Sequence, residues 1–174
     1  MGHGRIQTTQ PGDLSVRRAT AQDHVALYGV YYKSVRHGAA AFYTTEQRAA
    51  WAPSEQPSSP TTDPDDTLLR WVAEVNGKII GFMAVTPDGY IDLAFVLPEW
   101  MGQGVAQALY DQLLEWARRN GLTRLTAHAS HFARRFFDKQ GWQVDHPEII
   151  ARNGQELERF IMSLELERRD GKTI

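Results

Sequence analysis

The segment from Phe95 to Ala106 combines residue types that suit the binding of an anion. An apolar strand pattern is followed by a short turn with glycines at 102 and 104, and then by a long amphipathic helix pattern. The first turn of a helix leaves about four backbone N–H groups without partners in the helix, and the helix dipole makes that end positive. Glycine and alanine let a phosphate approach those groups closely. Because no Lys or Arg lies between 95 and 117, we expect main-chain donors to hold a pyrophosphate here.

Two common nucleotide-binding motifs do not fit this segment. A dinucleotide fingerprint counted from Gly102 needs Gly or Ala at 107, where the sequence has Gln107. Its strand would also open a parallel βαβ unit, whereas the strand before this turn ends an antiparallel meander. A Walker loop needs Gly-Lys-Ser or Gly-Lys-Thr, which the segment lacks. The residues therefore exclude a nicotinamide, flavin or nucleoside-triphosphate site of these two kinds.

The elements that must position this segment follow from hydrophobic periodicity. Strands are predicted at 14–18, 69–75, 78–86, 90–97, 122–127, 142–150 and 157–166, and helices from a Thr20–Asp23 capping box to about 36, at 46–51, at 105–120 and at 130–140. The first helix is expected to bury Val25, Tyr28, Tyr32 and Val35. Asn76-Gly77 predicts a tight hairpin turn. The predicted fold class is α/β (α+β) in three layers, with a mixed, mostly antiparallel sheet of about six to seven strands and about four helices.

Composition limits the class of protein. The 174 residues predict one domain over 13–168, with flexible tails at 1–12 and 169–174 and a mobile loop at 53–67 that is rich in proline and acidic residues. The chain has no cysteine, which excludes disulfides, zinc–cysteine sites and thiol nucleophiles. Its formal charge is −2, so neither nucleic acid nor a membrane is an expected partner. No apolar run is long enough for a signal peptide or a membrane span, so we expect a cytoplasmic protein.

Three motifs occur in order along the chain. They are the strand end Phe95-Val96-Leu97-Pro98-Glu99, the turn Met101-Gly102-Gln103-Gly104-Val105-Ala106, and the helix pattern Ser130-x-x-Ala133-x-x-x-Phe137-x-x-x-Gly141-Trp142. Together they resemble the GNAT superfamily of acyl-CoA-dependent N-acetyltransferases, although Met101 departs from that family's polar first position in the turn. Segments Tyr43–Gln47 through Trp51 and Arg152–Gly154 resemble a loosely characterised bacterial subgroup.

The resemblance implies acetyl-CoA as cosubstrate and no metal. The main chain of Gly102 to Ala106 would hold the pyrophosphate, and the pantetheine arm would pair with the exposed main chain of Phe95 to Leu97, where this strand splays from strand 123–127. The residues implied for cofactor binding are Phe95, Val96, Leu97, Met101, Gly102, Gln103, Gly104, Val105, Ala106, Ser130, Ala133 and Phe137.

The catalytic candidates are Asp92, His128 and Ser130. Asp92 alternates away from the apolar face of its strand, so it is either a base for the acceptor amine or a solvated carboxylate near a turn. His128 titrates near neutral pH and would lie at the gap, but a hydrogen-bonded surface histidine is the competing interpretation. The family's usual general acid is a Tyr at the position of Phe137, which cannot donate a proton, so Ser130 or His128 is the expected substitute.

The acceptor side is less determined. The resemblance places His37 and Tyr43 in the helical segment that roofs the acceptor pocket, where Trp51 is expected to serve the core. The predicted function is transfer of an acetyl group to an amine of a small molecule, or less favourably of a protein, by direct attack. The alternative is a catalytically weak acyl-CoA-binding or sensing module, which Phe137 favours. A homodimer paired through the last strand is a further expectation.

Overall fold

The computed structural model describes residues 13–56 and 67–167. The tails predicted at 1–12 and 169–174, and residues 57–66 of the loop predicted at 53–67, lie outside the described residues. The elements are β1 Leu14–Arg18, α1 His24–Lys33, α2 Thr45–Trp51, β2 Leu69–Val75, β3 Lys78–Val85, β4 Tyr90–Val96, α3 Val105–Arg119, β5 Arg124–Ser130, α4 His131–Lys139, β6 Gln143–Arg152 and β7 Gln155–Glu165.

The strands form one seven-stranded sheet in the order β1-β2-β3-β4-β5-β7-β6. Only the β4–β5 pair is parallel, and the other five pairs are antiparallel. Helices α1 and α3 both pack against β3, from opposite faces of the sheet, and α2 and α4 pack against β7. The predicted α/β class with its mixed, mostly antiparallel sheet is confirmed. The prediction that the last strand pairs across a dimer is wrong, because β7 lies between β5 and β6 and has no open edge.

Capping residues fix where the helices begin. The Thr20 N–H donates to the Asp23 carboxylate at 2.7 Å, which closes the capping box before α1. Thr44 and Gln47 form a second capping box at α2. The Ser130 hydroxyl accepts from the Ala133 N–H at 3.1 Å and so begins α4. The short-range signals in the sequence therefore place the helix starts correctly.

The buried face of the first helix differs from the prediction. Val25 is 53% exposed, whereas Leu27 and Val30 are buried. A π-helical turn at Ser34–Gly38 continues α1, and its wider winding turns Val35 into the core. The predicted face was wrong at Val25, and Tyr28 and Tyr32 are only partly buried, because the regular helix α1 turns Leu27 and Val30 into the core instead.

Among residues 13–56 and 67–167, no helix combines the length and apolarity required to cross a bilayer.

Candidate active site

Strands β4 and β5 are hydrogen-bonded at one end and separate at the other. Their parallel register covers only Tyr90 with Thr126 and Ile91 with Ala127. The register of β4 against β3 also shifts here, because Val85 faces Ile91 and the preceding residue faces Leu93. Asp92 is therefore the extra residue of a β-bulge, which bends a strand and re-aims its side chains. The predicted splay between these strands is confirmed.

The edge that β4 turns toward this gap is defined by its backbone. The Leu97 N–H donates to the Ile80 carbonyl of β3 at 2.8 Å. Because neighbouring residues of a strand direct their peptide groups to opposite edges, Ala94 and Val96 face the gap. The Ser34 hydroxyl donates to the Val96 carbonyl at 2.7 Å, which leaves the Val96 N–H directed into the gap. Because the Leu97 N–H is engaged by β3, Val96 is the residue of Phe95 to Leu97 whose main chain faces the gap.

The turn that follows β4 forms a cradle of main-chain donors. Gly104 is the N-cap of α3 with φ 84°, and it supplies no side-chain cap. The first intrahelical bond runs from the Ala108 N–H to the Gly104 carbonyl at 3.0 Å, so the amides of 105–107 precede it. Gly102 also has positive φ, at 75°, and a Cβ at either glycine would meet no heavy atom within 4 Å. This open, positively polarised helix end fits a diphosphate group.

A cavity of about 480 Å³ extends from this cradle between β4 and α4. Nine of the residues predicted for cofactor binding line it, namely Phe95, Val96, Met101, Gly102, Gly104, Val105, Ala106, Ala133 and Phe137. Leu97 is buried beside it, and the Gln103 side chain donates back to the Glu99 carbonyl at 2.8 Å. Arg135 and Lys139 of α4 add positive charge to the wall, and the sequence pattern around the turn gave no sign of Lys139.

A second cavity of about 320 Å³ lies on the other side of the splayed strands. Asp92, His128, Ser130 and Tyr43 line it, whereas the exposed side chain of His37, in the π-helical turn, lies outside both linings. Four residues line both cavities, namely Ala94, Phe95, Ala133 and Phe137. We call these four residues the junction. All are apolar, and Phe137 is held by ring packing on Trp142 at 4.5 Å between centroids.

The polar floor of the second cavity couples three groups. The Tyr90 and His128 rings meet edge to face at 5.0 Å. Partial burial, followed by the positive charge of Arg159, lowers the pKa of His128, so its imidazole is neutral at pH 7. Burial raises the pKa of Tyr90, and the Asp92 carboxylate raises it further. A neutral imidazole beside a carboxylate is able to accept a proton.

The roof of this cavity is aromatic and rigid. Tyr31 donates its hydroxyl to the Trp51 carbonyl at 2.6 Å, and burial raises its pKa to about 12. Tyr43 donates to the Glu158 carbonyl at 2.8 Å and accepts from the His131 N–H at 3.0 Å. Both tyrosines therefore present rings to the cavity, with their hydroxyls engaged elsewhere. Trp51 lines the cavity as well as packing on Tyr43, so assigning it to the core alone was incomplete.

The end of the β6–β7 hairpin closes the cavity with charged residues that the sequence analysis did not select: Arg152, Glu158 and Arg159. Their strands lie far along the chain from Asp92, and only the sheet order brings them together. The His131 ring packs edge to face on Phe160, and its Nε2 lies 3.6 Å from a carboxylate oxygen of Glu158. Within the described part of the chain, no three His, Cys, Asp or Glu side chains are grouped to hold a metal ion.

A comparison with protein families bears directly on this two-cavity arrangement. The model of the acetyltransferase (GNAT) domain matches residues 38–164, which include the cradle, the junction and both strands of the hairpin. The chain belongs to the GNAT family. It is an acetyltransferase, and acetyl-CoA is its cosubstrate.

Several GNAT proteins are similar to it over most of their length. YafP, an uncharacterised N-acetyltransferase of Escherichia coli strain K12, is 28% identical over 162 residues, which cover 93% of this chain and 96% of YafP. A GCN5-related N-acetyltransferase from Rhodopseudomonas palustris has a crystal structure with a TM-score of 0.81 and 26% identity, covering 87% of this chain and 95% of that chain. YncA from Salmonella typhimurium, solved with acetyl-CoA, has a TM-score of 0.63 and 22% identity, covering 92% of this chain and 98% of YncA. At this identity, the similarity to YncA shows a shared fold.

Proposed function

We propose that this GNAT protein transfers the acetyl group of acetyl-CoA to the amine of a small molecule by direct attack. The observation that carries the proposal is the meeting of two cavities at the junction, between strands that separate beyond Ile91. One cavity begins at a cradle for a diphosphate, and the other has a proton-accepting floor and an aromatic roof. At about 320 Å³, the second cavity has the volume of a small-molecule site.

The cofactor side has donors suited to each part of acetyl-CoA. The amides of residues 105–107 and the dipole of α3 favour the diphosphate, while Arg135 and Lys139 supply charge for further phosphate groups. The gap-facing peptide groups of Ala94 and Val96 are placed to pair with the pantetheine amides in the manner of an added strand. Bound in this way, acetyl-CoA supplies an activated acetyl group as a thioester.

On the acceptor side, the floor residues make the amine reactive. An attacking amine must be neutral, and an ammonium loses its proton more readily in an apolar junction than in water. The lowered pKa of His128 and the carboxylate of Asp92 make both groups candidates to accept that proton, directly or through water. During transfer the new N–C bond forms, the C–S bond breaks, and one proton passes overall from nitrogen to sulfur.

The proton for the departing sulfur needs a donor other than Phe137. The Ser130 hydroxyl accepts from the Ala133 N–H, so its own hydrogen is free to turn toward the junction. Ser130 is the N-cap of α4 and lines the second cavity two helical turns before Phe137, on the same face of that helix. We therefore assign Ser130 as the group that hydrogen-bonds the departing thiolate.

Acetyl-CoA binding by calorimetry and CoA release with a panel of small amines test this proposal together. Amine-dependent release above background hydrolysis, together with an Asp92→Asn variant that binds acetyl-CoA normally but turns over slowly, is the expected result. Tight binding of acetyl-CoA with no release for any amine would instead support the binding-module alternative and refute small-amine transfer.

A further inference from the structure

In the described part of the chain, some charged side chains around the second cavity, which we call the acceptor cavity, have a partner of opposite charge, and one does not. Arg159 forms an ion pair with Glu148, and Glu158 lies 3.6 Å from His131. Arg152 lines the same cavity at the end of β6 and is exposed. Within 13–56 and 67–167, no carboxylate lies within ion-pair distance of its guanidinium. The cavity therefore contains a cation whose charge the described residues leave unneutralised.

Arg152 and the proton-accepting floor act on different parts of the cavity. Burial raises the pKa of Tyr31 in the aromatic roof and the charge of Arg152 partly opposes that rise, whereas the Asp92 carboxylate acts on Tyr90 and His128 of the floor. A strip of rings lines the same cavity, in which Phe95 contacts Tyr31 at 5.2 Å and Trp51 at 6.3 Å between centroids. One cavity is thus lined by a cation, an apolar strip and an anion.

The position of Arg152 is fixed by the anchoring of its hairpin on α2. The side chain of the next residue, Asn153, donates to the Ala50 carbonyl at 2.7 Å, and Gln47 donates to the Glu156 carbonyl at 2.9 Å. The Tyr43 hydroxyl donates to the Glu158 carbonyl on the same hairpin. Three hydrogen bonds between the hairpin and residues 43–50 therefore hold the backbone near Arg152 in place, so little ordering of the main chain is needed for a ligand to bind there.

We propose that the acceptor is an amine that also carries a carboxylate, as an amino acid does, with its carboxylate on Arg152 and its amine directed toward Asp92 and His128. This inference rests on the proposed function. A guanidinium presents paired donors that match a carboxylate, and the pairing is both charge-assisted and geometrically selective. The ring strip contacts the apolar part of the molecule, and the cavity of about 320 Å³ limits the ligand to the size of a single amino acid or a close derivative.

Amino acids and their amides test the inference, because each pair differs only at the carboxylate. The probes are phenylalanine with phenylalaninamide and leucine with leucinamide, and the readout is kcat/KM for CoA release at saturating acetyl-CoA. The wild type is expected to favour the acid of at least one pair by about tenfold to a hundredfold, the range for a charge-assisted hydrogen bond. The amides have the more weakly basic amine, so a preference for the acid cannot come from amine ionisation.

Variants at Arg152 separate recognition from general damage. In Arg152→Gln the acid is expected to lose most of that advantage while the amide keeps its kcat/KM, and Arg152→Lys should restore part of the preference. Arg118→Gln, on the exposed outer face of α3, is the matched control and should leave both members unchanged. A wild type that prefers amides, or a preference that survives in Arg152→Gln, would overturn the inference while leaving amine acetylation intact. If no probe and no other small amine raises CoA release, the proposed function itself fails, and the inference fails with it.

Discussion

Gly104 and Gly121 offer a controlled test of the diphosphate cradle, because they lie at opposite ends of the same helix. Both have left-handed backbones, with φ 84° and 72°, and a Cβ at either position would meet no heavy atom within 4 Å. We expect Gly104→Asn and Gly121→Asn to cost similar amounts of stability, about 1 kcal/mol or less, because Asn enters the left-handed region more readily than other side chains. Valine would be strained at either position, which makes it the poorer choice.

The effect on binding should differ sharply between the two variants. At Gly104 the new side chain enters the space in front of the amides of residues 105–107 and blocks approach to them. A hydrogen bond to a charged group contributes about 1.5–3 kcal/mol, so the loss of two such bonds amounts to about 3–6 kcal/mol. Affinity for acetyl-CoA should therefore fall by about a hundredfold or more in Gly104→Asn and remain near wild type in Gly121→Asn.

Calorimetric titration with acetyl-CoA measures the affinity, and urea denaturation without ligand measures the stability of each variant. Equal affinity in the two variants would refute the placement of the diphosphate at this turn. If Gly104→Asn alone lost much stability, its weaker binding could be due to damage to the turn. The open space around Gly104 predicts no such loss.

Three further predictions concern the floor, the fold and the junction. Asp92→Asn should lower kcat at neutral pH by tenfold or more with little change in acetyl-CoA affinity, and an unchanged kcat would remove Asp92 from the reaction. Asp23 has its pKa lowered to about 2, first by the Arg17 hydrogen bonds, so its carboxylate stabilises the fold above about pH 4 and this contribution is lost as pH falls toward 2. Urea denaturation of Asp23→Asn should show a loss of about 1–2 kcal/mol at pH 7 that vanishes near pH 2, since Arg17 is partly exposed; a deficit independent of pH would point to packing instead. Phe137→Tyr should raise kcat at saturating amine, because it places a hydroxyl that can donate a proton at the junction. If the variant is stably folded but slower, proton donation to the sulfur does not limit the wild-type reaction.

Much of the fold could be predicted because its signals are local. Thr44 with Gln47 and Ser130 with Ala133 are capping pairs within one helical turn, and Asn76-Gly77 adopts the positive φ values that its hairpin requires. The cofactor side was predictable for the same reason, since a strand, a glycine turn and a helix N-terminus are consecutive in the chain. The π-helical turn after Lys33 was not, because nothing in the apolar spacing marks a change of helical period.

The acceptor side depends on contacts that no short segment encodes. Arg152 and Asp92 lie on strands that are neighbours only through the order β4-β5-β7-β6. Trp51 was assigned to the core because its spacing fits a short helix, yet the same ring forms part of the roof. His37 suits a binding role by residue type, and the structure places its side chain exposed, outside the linings of both cavities.

The apolar junction explains how a site with Phe137 can still direct chemistry. Apolar walls disfavour the ammonium form of an entering amine, so part of the deprotonation is driven by burial itself. In the proposed reaction His128 and Asp92 then need only receive that proton, and both lie on the floor outside the junction. A charge held at Arg152 would then fix which amines enter far enough to be desolvated, so that selection of the acceptor and activation of its amine are one event. It follows that Arg152→Gln should lower kcat as well as raise KM for a carboxylate-bearing amine. A change in KM alone would show that selection of the acceptor and activation of its amine are separate events.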